Sequence, residues 1–407
     1  MLENLFASRV KPDEKSRLVG LFPETHYLDN ISFGGGAPEE KLFPVEELKE
    51  AYQVAVKRQG AHAFQYHDIR GPEYLRQFLV ERAKTLVGIP EVTDDEIMLT
   101  AGGQQGIELV AKLLLNKGDA MAVEAPTYVG ALAAFDTFEP TYFNVSMEDD
   151  GADLTQFELL LKAHPEIKFF YTVPDFHNPT GITMSVAKRK RLVELANKYD
   201  FIILEDTPYR DLRYVGKSLP SVKSFDTEGR VIFLSSFSKI LTPAFRLGWL
   251  VADSVVVQAL TKLKLTEDLE VPYLPSATIE YYLQNNDLDE HIQSLRALYQ
   301  TKMEAMMAAI DRYLPGINVS HPEGGFFLWL ELDQGIDTTK LLWENAVPEQ
   351  HLVYVPSESF YAHRDRKNGM RINFTGPTYE QIDDGVKRLS KMLVENSRQK
   401  EIFVKAI

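Results

Sequence analysis

The stretch VIFLSSFSKILTPAFRLGWLVA, residues 231–252, holds two apolar runs on either side of a lysine and an arginine. The runs VIFLSS and GWLVA are rich in β-branched and aromatic residues and lack polar alternation, which is typical of strands buried on both faces. Lys239 comes directly after the first run, and Arg246 comes just before the second. The stretch therefore predicts two buried strands, the first of which ends close to an amine.

Similar apolar runs precede this stretch and alternate with helical patterns. Helices are predicted near residues 45–58, 72–86 and 104–115, and the runs that indicate strands are 97–100, 120–125, 168–173 and 201–205. Strands that alternate with helices favour a parallel sheet covered on both faces. The sequence therefore predicts an α/β unit, with ligands bound beyond the carboxyl ends of its strands.

The pattern changes after about Asp287. A long helical stretch to about Tyr313 is followed by apolar runs at 324–332, 351–355 and 370–374 and by a closing helix. This order predicts a second, smaller α+β unit.

Composition excludes several classes of function. The chain has 407 residues, a formal net charge of -15 and no cysteine. The negative charge disfavours binding to nucleic acid or to an anionic membrane, and the lack of cysteine excludes disulfides and thiolate catalysis. No stretch of about 18 apolar residues and no signal-like start is present, so we expect a cytoplasmic protein. The dispersed histidines and the absence of HExxH or P-loop motifs predict no metal site.

Polar motifs lie at the predicted strand ends. Asp206 follows the run FIILE, the turn NPTG (178–181) follows KFFYTV, and TAGGQQG (100–106) follows IMLT. Burial at a strand end would favour the neutral, nucleophilic amine of Lys239. Each feature alone also has a structural interpretation: a surface lysine, a helix-capping Asp, a common turn and a tight glycine turn. The charged runs KRKR (188–191) and HRDRK (363–367) are interpreted as solvated faces.

The order NPTG, EDTPY, SSFSK, KILTPAFRLG and MRINF resembles the fold-type I aminotransferases that depend on pyridoxal 5'-phosphate (PLP). Within them it is most similar to the branch of α-aminoadipate, kynurenine and aromatic aminotransferases, over nearly the whole chain. The resemblance implies the fold type I of PLP-dependent transferases, with residues 1–45 joining a small domain formed by 288–407, and 46–287 forming the large PLP-binding domain. It also implies amino acid and 2-oxo acid substrates, 2-oxoglutarate as the acceptor, and a homodimer.

The resemblance assigns roles to individual residues. Lys239 would bond covalently to the cofactor and carry the proton, Asp206 would hold the pyridine nitrogen protonated, and Asn178 and Tyr209 would donate to the ring oxygen. The cofactor would further be bound by Gly103, Gln104, Ser236, Ser238 and Arg246 at its phosphate, by Tyr128 on its ring face, and by Tyr66 from the neighbouring subunit.

For the substrate, the resemblance implies Arg371 at the α-carboxylate, with Asn178 and Gly36 nearby, and Arg17 at an acidic side chain. An N-terminal arginine is also commonly solvated, and aromatic residues such as Phe326, Phe327 and Phe360 would suit a large apolar or aromatic substrate instead. Two other functions stay open. One is a PLP-dependent lyase or synthase on the same scaffold. The other is a non-catalytic sensor like the aminotransferase-shaped domains of some transcription regulators, although we expect no room for a DNA-binding module.

Overall fold

The computed structural model describes residues 2–10 and 30–405, which form fourteen strands and twelve α-helices joined by short 3-10 and π turns. The strands are β1 (Ile31–Ser32), β2 (Ile97–Thr100), β3 (Ala120–Ala125), β4 (Thr141–Glu148), β5 (Gly151–Ala152), β6 (Phe169–Thr172), β7 (Ile202–Asp206), β8 (Val231–Ser236), β9 (Gly248–Val251), β10 (Asn318–Val319), β11 (Phe327–Glu331), β12 (Leu352–Val353), β13 (Val355–Pro356) and β14 (Gly369–Asn373). The α-helices are α1 (Val45–Gln59), α2 (Glu73–Arg82), α3 (Gly103–Leu114), α4 (Val129–Asp136), α5 (Leu154–Ala163), α6 (Val186–Tyr199), α7 (Ser254–Glu267), α8 (Tyr273–Asn285), α9 (Leu288–Tyr313), α10 (Thr338–Leu341), α11 (Val347–Gln350) and α12 (Tyr379–Lys405).

The large sheet has the strand order β2-β9-β8-β7-β6-β3-β4-β5. The five strands from β8 to β4 run parallel, while β9, β2 and β5 pair antiparallel with their neighbours. Parallel strands need crossover connections, and α4, α5 and α6 lie in three of them, while the connection from β7 to β8 contains only a 3-10 turn (Lys223–Phe225). The predicted α/β class with a mainly parallel sheet is therefore confirmed.

Helices cover both faces of this sheet. On β3, Met121 and Val123 pack with residues of α3, α4 and α7, whereas Ala120 and Ala122 pack with residues of α5 and α6. Because successive side chains of a strand point to opposite faces, one short apolar run contributes to two hydrophobic clusters. This explains why the central strands are mostly apolar on both faces.

A smaller antiparallel sheet has the order β10-β11-β14-β13. The long helices α9 and α12 pack beside each other near it, and β1 pairs in parallel with β12, joining Ile31 to Leu352 and Ser32 to Val353. The predicted second α+β unit therefore exists. The assignment of residues 1–45 to it, and the division at 46–287 and 288–407, stay predictions.

Local structure departs from the sequence prediction at three places. Helix α2 ends at Arg82, and a π turn (Ala83–Val87) leads to Gly88 in a left-handed conformation. Strand β4 was not predicted, because most of TYFNVSME is only partly buried and lacks a continuous apolar run. The interpretation of KRKR as a solvated face was wrong for Arg189, whose side chain is fully buried.

None of the helices in the described part combines the length and the hydrophobicity that crossing a bilayer requires. Across residues 2–10 and 30–405, no group of three or more His, Asp or Glu side chains is arranged to hold a metal ion.

Candidate active site

Three of the predicted site residues come from neighbouring parallel strands. Asn178 follows β6, Asp206 ends β7, and Lys239 follows β8, with β7 lying between β6 and β8 in the sheet. Because the carboxyl ends of parallel strands meet at one edge, the sheet brings these three residues to the same edge. The edge is therefore the centre of the candidate site.

Lys239 lies in a short 3-10 turn that begins directly after β8. Ser236 caps this turn by accepting a hydrogen bond from the Ser238 N–H. The Lys239 Nζ atom donates to the Gly36 carbonyl oxygen at 2.6 Å. Burial, together with the charges of Arg371 and Arg246, lowers the pKa of Lys239 to about 8. About a tenth of the amine is therefore neutral, and nucleophilic, at pH 7, far more than for an ordinary lysine with a pKa of 10.5.

Asp206 is buried, and its Oδ2 atom accepts a hydrogen bond of 2.7 Å from the Tyr171 hydroxyl. Burial raises the pKa of Asp206 to about 7, against the opposing effect of that hydrogen bond. The adjacent Glu205 has a different environment, because its carboxylate accepts hydrogen bonds from the backbone N–H groups of Val222 and Lys223. Asp206, and not Glu205, therefore keeps its carboxylate available at the site.

Arg371 lies on β14 and extends from the smaller sheet to the same place. Its Nη1 donates to Asn178 Oδ1 at 3.0 Å, and its Nη2 donates to the Gly34 carbonyl oxygen at 2.8 Å. The buried Nε atom has no acceptor among the described residues. The guanidinium lies over the ring of Phe327, 4.1 Å from the centroid. Burial lowers the pKa of Arg371 to about 10, so the group stays cationic and can bind an anion.

Tyr209 is buried beside these groups, with its ring 5.3 Å from that of Phe326 and 5.7 Å from that of Phe327. Burial raises its pKa well above the ordinary value, and Arg371, Tyr128 and Asp206 lie close enough to influence it. The Tyr209 hydroxyl is therefore protonated over the physiological pH range and can act as a hydrogen-bond donor.

A cradle of small and cationic groups lies at the start of α3. Gly102 has φ 77° and precedes the helix, and a Cβ atom on it would overlap the Arg246 guanidinium. Arg246 Nη1 lies 3.5 Å from Ser238 Oγ, and no acidic side chain in the described part pairs with this guanidinium. Ser238 Oγ in turn lies 2.8 Å from Ser236 Oγ. Backbone N–H groups at a helix start, hydroxyls and an unpaired guanidinium together suit a phosphate.

Two further predicted residues, Gln104 and Tyr128, lie at the same edge, but their interactions there could not be predicted from the sequence. The Gln104 side-chain amide donates to the Gly130 carbonyl oxygen at 2.7 Å, so its backbone N–H is the donor left for the cradle. Tyr128 is the residue directly before α4, and burial and the charge of Asp206 raise its pKa. Asp206 therefore lies within electrostatic range of the Tyr128 hydroxyl.

One other predicted residue, Tyr66, is not brought to this edge. Tyr66 is 72% exposed, and its hydroxyl has no side-chain partner in the described part of the chain. Arg17 lies outside the described residues. Their assigned roles stay predictions.

A buried hydrogen-bond network behind the site was not predicted from the sequence. Glu124 on β3 accepts hydrogen bonds from the Thr172 hydroxyl at 2.7 Å and from the Val173 N–H at 2.9 Å, and lies 3.2 Å from His177 Nε2. The other His177 nitrogen lies 2.8 Å from Thr180 Oγ1. This network supports the turn that carries Asn178. A single acidic residue inside the apolar run AMAVEA was the available signal.

The residues present fit the cofactor that the sequence resemblance implies. The cradle at Arg246 can bind a phosphate, and the buried Asp206 can pair with a cationic ring nitrogen. The Lys239 amine can condense with an aldehyde. The three groups lie at one sheet edge, as one ligand of this kind requires.

Comparisons with known proteins agree with the family resemblance that the sequence motifs indicate. The model of the family described as aminotransferase class I and II matches residues 29–389. The aromatic-amino-acid aminotransferase 1 of Thermococcus litoralis is 39% identical over 402 residues, covering 98% of this chain and 96% of that protein.

Two solved structures are similar over nearly their whole length. The kynurenine aminotransferase of Pyrococcus horikoshii, solved with PMP, has a TM-score of 0.91 and 38% identity, covering 97% of this chain and 98% of that one. The α-aminoadipate aminotransferase LysN of Thermus thermophilus, complexed with N-(5'-phosphopyridoxyl)-L-leucine, has a TM-score of 0.88 and 31% identity, covering 97% and 98%.

Proposed function

Because this chain belongs to the class I and II aminotransferase family and is a PLP-dependent aminotransferase, we propose that it transfers the amino group of an L-amino acid with an aromatic, large apolar or 2-aminoadipate-like side chain. The acceptor is a 2-oxo acid, 2-oxoglutarate among them, in a ping-pong cycle. The names of the similar proteins support this substrate range. The meeting of Lys239, Asp206 and Arg371 at one sheet edge carries the proposal.

Bound PLP supplies an aldehyde that condenses with amines and a ring that delocalises negative charge from the substrate α-carbon. We assign its phosphate to the backbone of Gly103 and Gln104 and to Ser236, Ser238 and Arg246. Their donors and positive charge at the start of α3 support this assignment.

The ring is assigned to four side chains. Asp206 would face the pyridine nitrogen, and the ring of Tyr128 would cover one face. Asn178 and Tyr209 would donate to the ring oxygen. For Asn178 this is supported by the hydrogen bond that Arg371 donates to its Oδ1, because the bond fixes the NH2 group as the donor end of the amide, and this side chain also interacts with the Tyr209 hydroxyl.

Lys239 would attach the cofactor covalently and, once displaced by the substrate amine, would move a proton at the substrate α-carbon. The pKa of about 8 supports both tasks, since a base near its pKa both accepts and returns a proton. Its hydrogen bond to the Gly36 carbonyl oxygen holds the amine at the substrate side of the site.

Arg371 would bind the substrate α-carboxylate by two parallel hydrogen bonds. Its unpartnered Nε and its position over Phe327 support this, because the fork is oriented before the anion arrives. A fixed carboxylate also sets which bond at the α-carbon stands perpendicular to the ring. Gly36 lies against Phe327 and would leave space for the substrate. Arg17 at an acidic side chain stays a prediction.

We also propose a cytoplasmic homodimer in which Tyr66 completes the phosphate site of the other subunit. Phe64, which ends a 3-10 turn, and Tyr66, two residues later, are 69% and 72% exposed, which is unusual for two nearby aromatic residues of a monomer. A C2 dimer would cover them and bring each Tyr66 to the partner site.

Covalent labelling tests the proposed function. The holoenzyme is reduced with borohydride and digested, and the pyridoxyl group is located by mass spectrometry. We expect it on Lys239 and not on Lys264, a second buried lysine that is paired with Asp268. Label on Lys264, or on no lysine, would refute the assignment.

Turnover measurements then address the reaction class. A panel of L-amino acids is incubated with 2-oxoglutarate, and the new oxo acid, glutamate and free ammonia are measured. Stoichiometric glutamate supports transamination, while ammonia without glutamate would indicate a lyase. Lys239→Ala should abolish turnover and still bind cofactor noncovalently.

Mixing two inactive variants tests the shared site. Tyr66→Ala and Lys239→Ala chains are unfolded together and refolded. If Tyr66 crosses the interface, mixed dimers regain one complete site and the mixture becomes active. No recovery, with mixed dimers demonstrated by mass, would contradict the proposed arrangement.

A further inference from the structure

The contact between Tyr171 and Asp206 connects the core of the sheet to the site. Tyr171 lies on β6, and its hydroxyl donates to Asp206 Oδ2 at 2.7 Å. Both residues are buried, Tyr171 completely so. The Tyr171 ring also packs edge-on against Phe135, with 5.4 Å between centroids. The hydroxyl is therefore held in place by the core and not by solvent.

Towards the charged carboxylate of Asp206, Tyr171 can only act as a donor. Burial and the charge of Asp206 raise its pKa well above the ordinary value, so the phenol keeps its proton. In the part of the chain that the structure describes, no other side chain or backbone N–H donates a hydrogen bond to the Asp206 carboxylate. The carboxylate also has no lysine or arginine within ion-pair distance there. Tyr171 is consequently the main protein group that favours the charged form of Asp206.

We propose that Tyr171 is a positioning residue that keeps the proton between Asp206 and the cofactor on the pyridine nitrogen. Its hydrogen bond occupies Asp206 Oδ2 and leaves Oδ1 for the ring. A carboxylate that accepts a second hydrogen bond is a weaker base, because its charge is already partly satisfied. The shared proton therefore stays on nitrogen, where it increases the capacity of the ring to accept electrons. This inference rests on the proposed function, in which Asp206 faces that nitrogen.

The alternative is that Tyr171 only fills the core. Its ring is in an aromatic cluster with Phe135, which lies edge-on to Phe169 as well. Phenylalanine at position 171 would keep these ring contacts and remove only the hydroxyl. The substitution Tyr171→Phe therefore separates the two explanations.

The first experiment measures the protonation state of the ring nitrogen directly. Holoenzyme is prepared with PLP labelled with 15N in the ring, and the 15N chemical shift is compared between wild type and Tyr171→Phe. We expect the signal of the variant to move towards that of an unprotonated pyridine. Tyr354→Phe is the matched control, because Tyr354 is equally buried and its hydroxyl donates to the Thr338 carbonyl oxygen, away from the site. An unchanged signal in a folded Tyr171→Phe enzyme would overturn the inference.

Cofactor affinity gives a second readout that does not depend on turnover. Dissociation constants are measured with apoenzyme for PLP and for its 3-deaza analogue, in which carbon replaces the ring nitrogen. Loss of a hydrogen bond to a charged group should weaken PLP binding about tenfold in Tyr171→Phe. The analogue should bind both proteins equally. Equal weakening of both ligands would show a merely structural effect and overturn the inference.

A double-mutant cycle tests whether Tyr171 acts through Asp206. In an Asp206→Asn background, Tyr171→Phe should no longer change the preference for PLP over the analogue. If Asp206→Asn alone leaves both the 15N signal and that preference unchanged, Asp206 does not face the nitrogen and the inference fails. The proposed function would still stand or fall separately, on the labelling of Lys239.

A substitution that keeps the hydroxyl covers the case in which Tyr171→Phe does not fold. 3-Fluorotyrosine at position 171 has nearly the same shape and donates a stronger hydrogen bond. It should tighten PLP relative to the analogue, in the direction opposite to the loss of the hydroxyl. Weaker relative binding of PLP would contradict the proposed role.

Discussion

Arg189 Nη2 lies 2.7 Å from Asp175 Oδ1, and neither side chain has appreciable contact with solvent. Asp175 also pairs with Arg210 at 3.0 Å, and Arg189 donates to the carbonyl oxygens of Met184, Pro174 and Pro220. Burial alone would raise the pKa of Asp175, but the two guanidinium charges lower it to about 2. This network connects the segment after β6, which carries Asn178, to the segment after β7, which carries Tyr209.

Removal of the buried guanidinium should therefore be costly. Arg189→Ala leaves a buried carboxylate with one partner fewer and several carbonyl groups without a donor, and we expect a loss of about 3–5 kcal/mol in the free energy of unfolding. Urea unfolding of the apoprotein measures it. Arg191→Ala, on the same helix but with a side chain that is 42% exposed, should cost less than about 1 kcal/mol. Equal effects of the two substitutions would contradict the network.

The reactivity of Lys239 should depend on pH in a defined direction. Its pKa is lowered from the ordinary 10.5 to about 8 by burial and by the charges of Arg371 and Arg246. The neutral amine therefore accumulates as the pH rises, and covalent attachment of PLP to apoenzyme should accelerate up to about pH 8 and then level off.

Arg371→Met removes one of these charges and should move that plateau to higher pH. Arg230→Met, which removes an arginine paired with Asp200 at the surface, should not. Stopped-flow absorbance follows the attachment. The rates of each variant and of the wild type are compared at the same pH, so that ionisations of the cofactor itself affect both equally. Identical profiles for wild type and Arg371→Met would refute the electrostatic explanation.

One methyl group added at Gly102 should weaken binding of the PLP phosphate in the cradle. A Cβ atom on Gly102 would overlap the Arg246 guanidinium, whereas a Cβ on Gly118 would meet nothing within 4 Å, although φ is positive at both, 77° and 84°. Both alanine variants should lose at least about 1 kcal/mol of stability, because φ is positive at both positions. Only Gly102→Ala should also weaken PLP binding, as measured with apoenzyme. Similar affinities for the two variants would argue against a phosphate at this position.

Arg246 should contribute to binding through the phosphate alone. Arg246→Ala removes a cation and forked donors, and we expect PLP to bind about ten- to a hundredfold more weakly. In a Lys239→Ala background, where no covalent bond forms, pyridoxal, which lacks the phosphate, should bind equally with and without Arg246. Fluorescence titration of apoenzyme measures both ligands. A loss of pyridoxal affinity would place Arg246 elsewhere in the site.

The sequence predicted the part of the site that depends on strand ends. Asn178, Asp206 and Lys239 each follow an apolar run, and the parallel order of those runs brings them to one edge. Arg371 was identified only by resemblance, because its strand belongs to another sheet and no local pattern places it beside Asn178. Proximity of that kind is set by tertiary packing, which a single sequence does not encode locally.

Buried polar groups were the harder part to predict. Arg189 lies in KRKR, and composition alone favours exposure for four consecutive cations, yet one of them faces the sheet and meets Asp175. Tyr171 looked like one more apolar strand residue, and only the position of Asp206 gives its hydroxyl a partner. Arg17 lies outside the described residues, so its assignment stays a prediction.

The two-residue pairing of β1 with β12 has a consequence for synthesis on the ribosome. Gly34 and Gly36, which accept hydrogen bonds from Arg371 and Lys239, follow β1, whose partner strand is made some 320 residues later. A nascent chain can therefore form much of the large sheet while the carbonyl groups that orient these two cations remain unplaced. Closure over such a sequence separation is slow, so competence to bind a substrate should appear last, well after the sheet itself has formed.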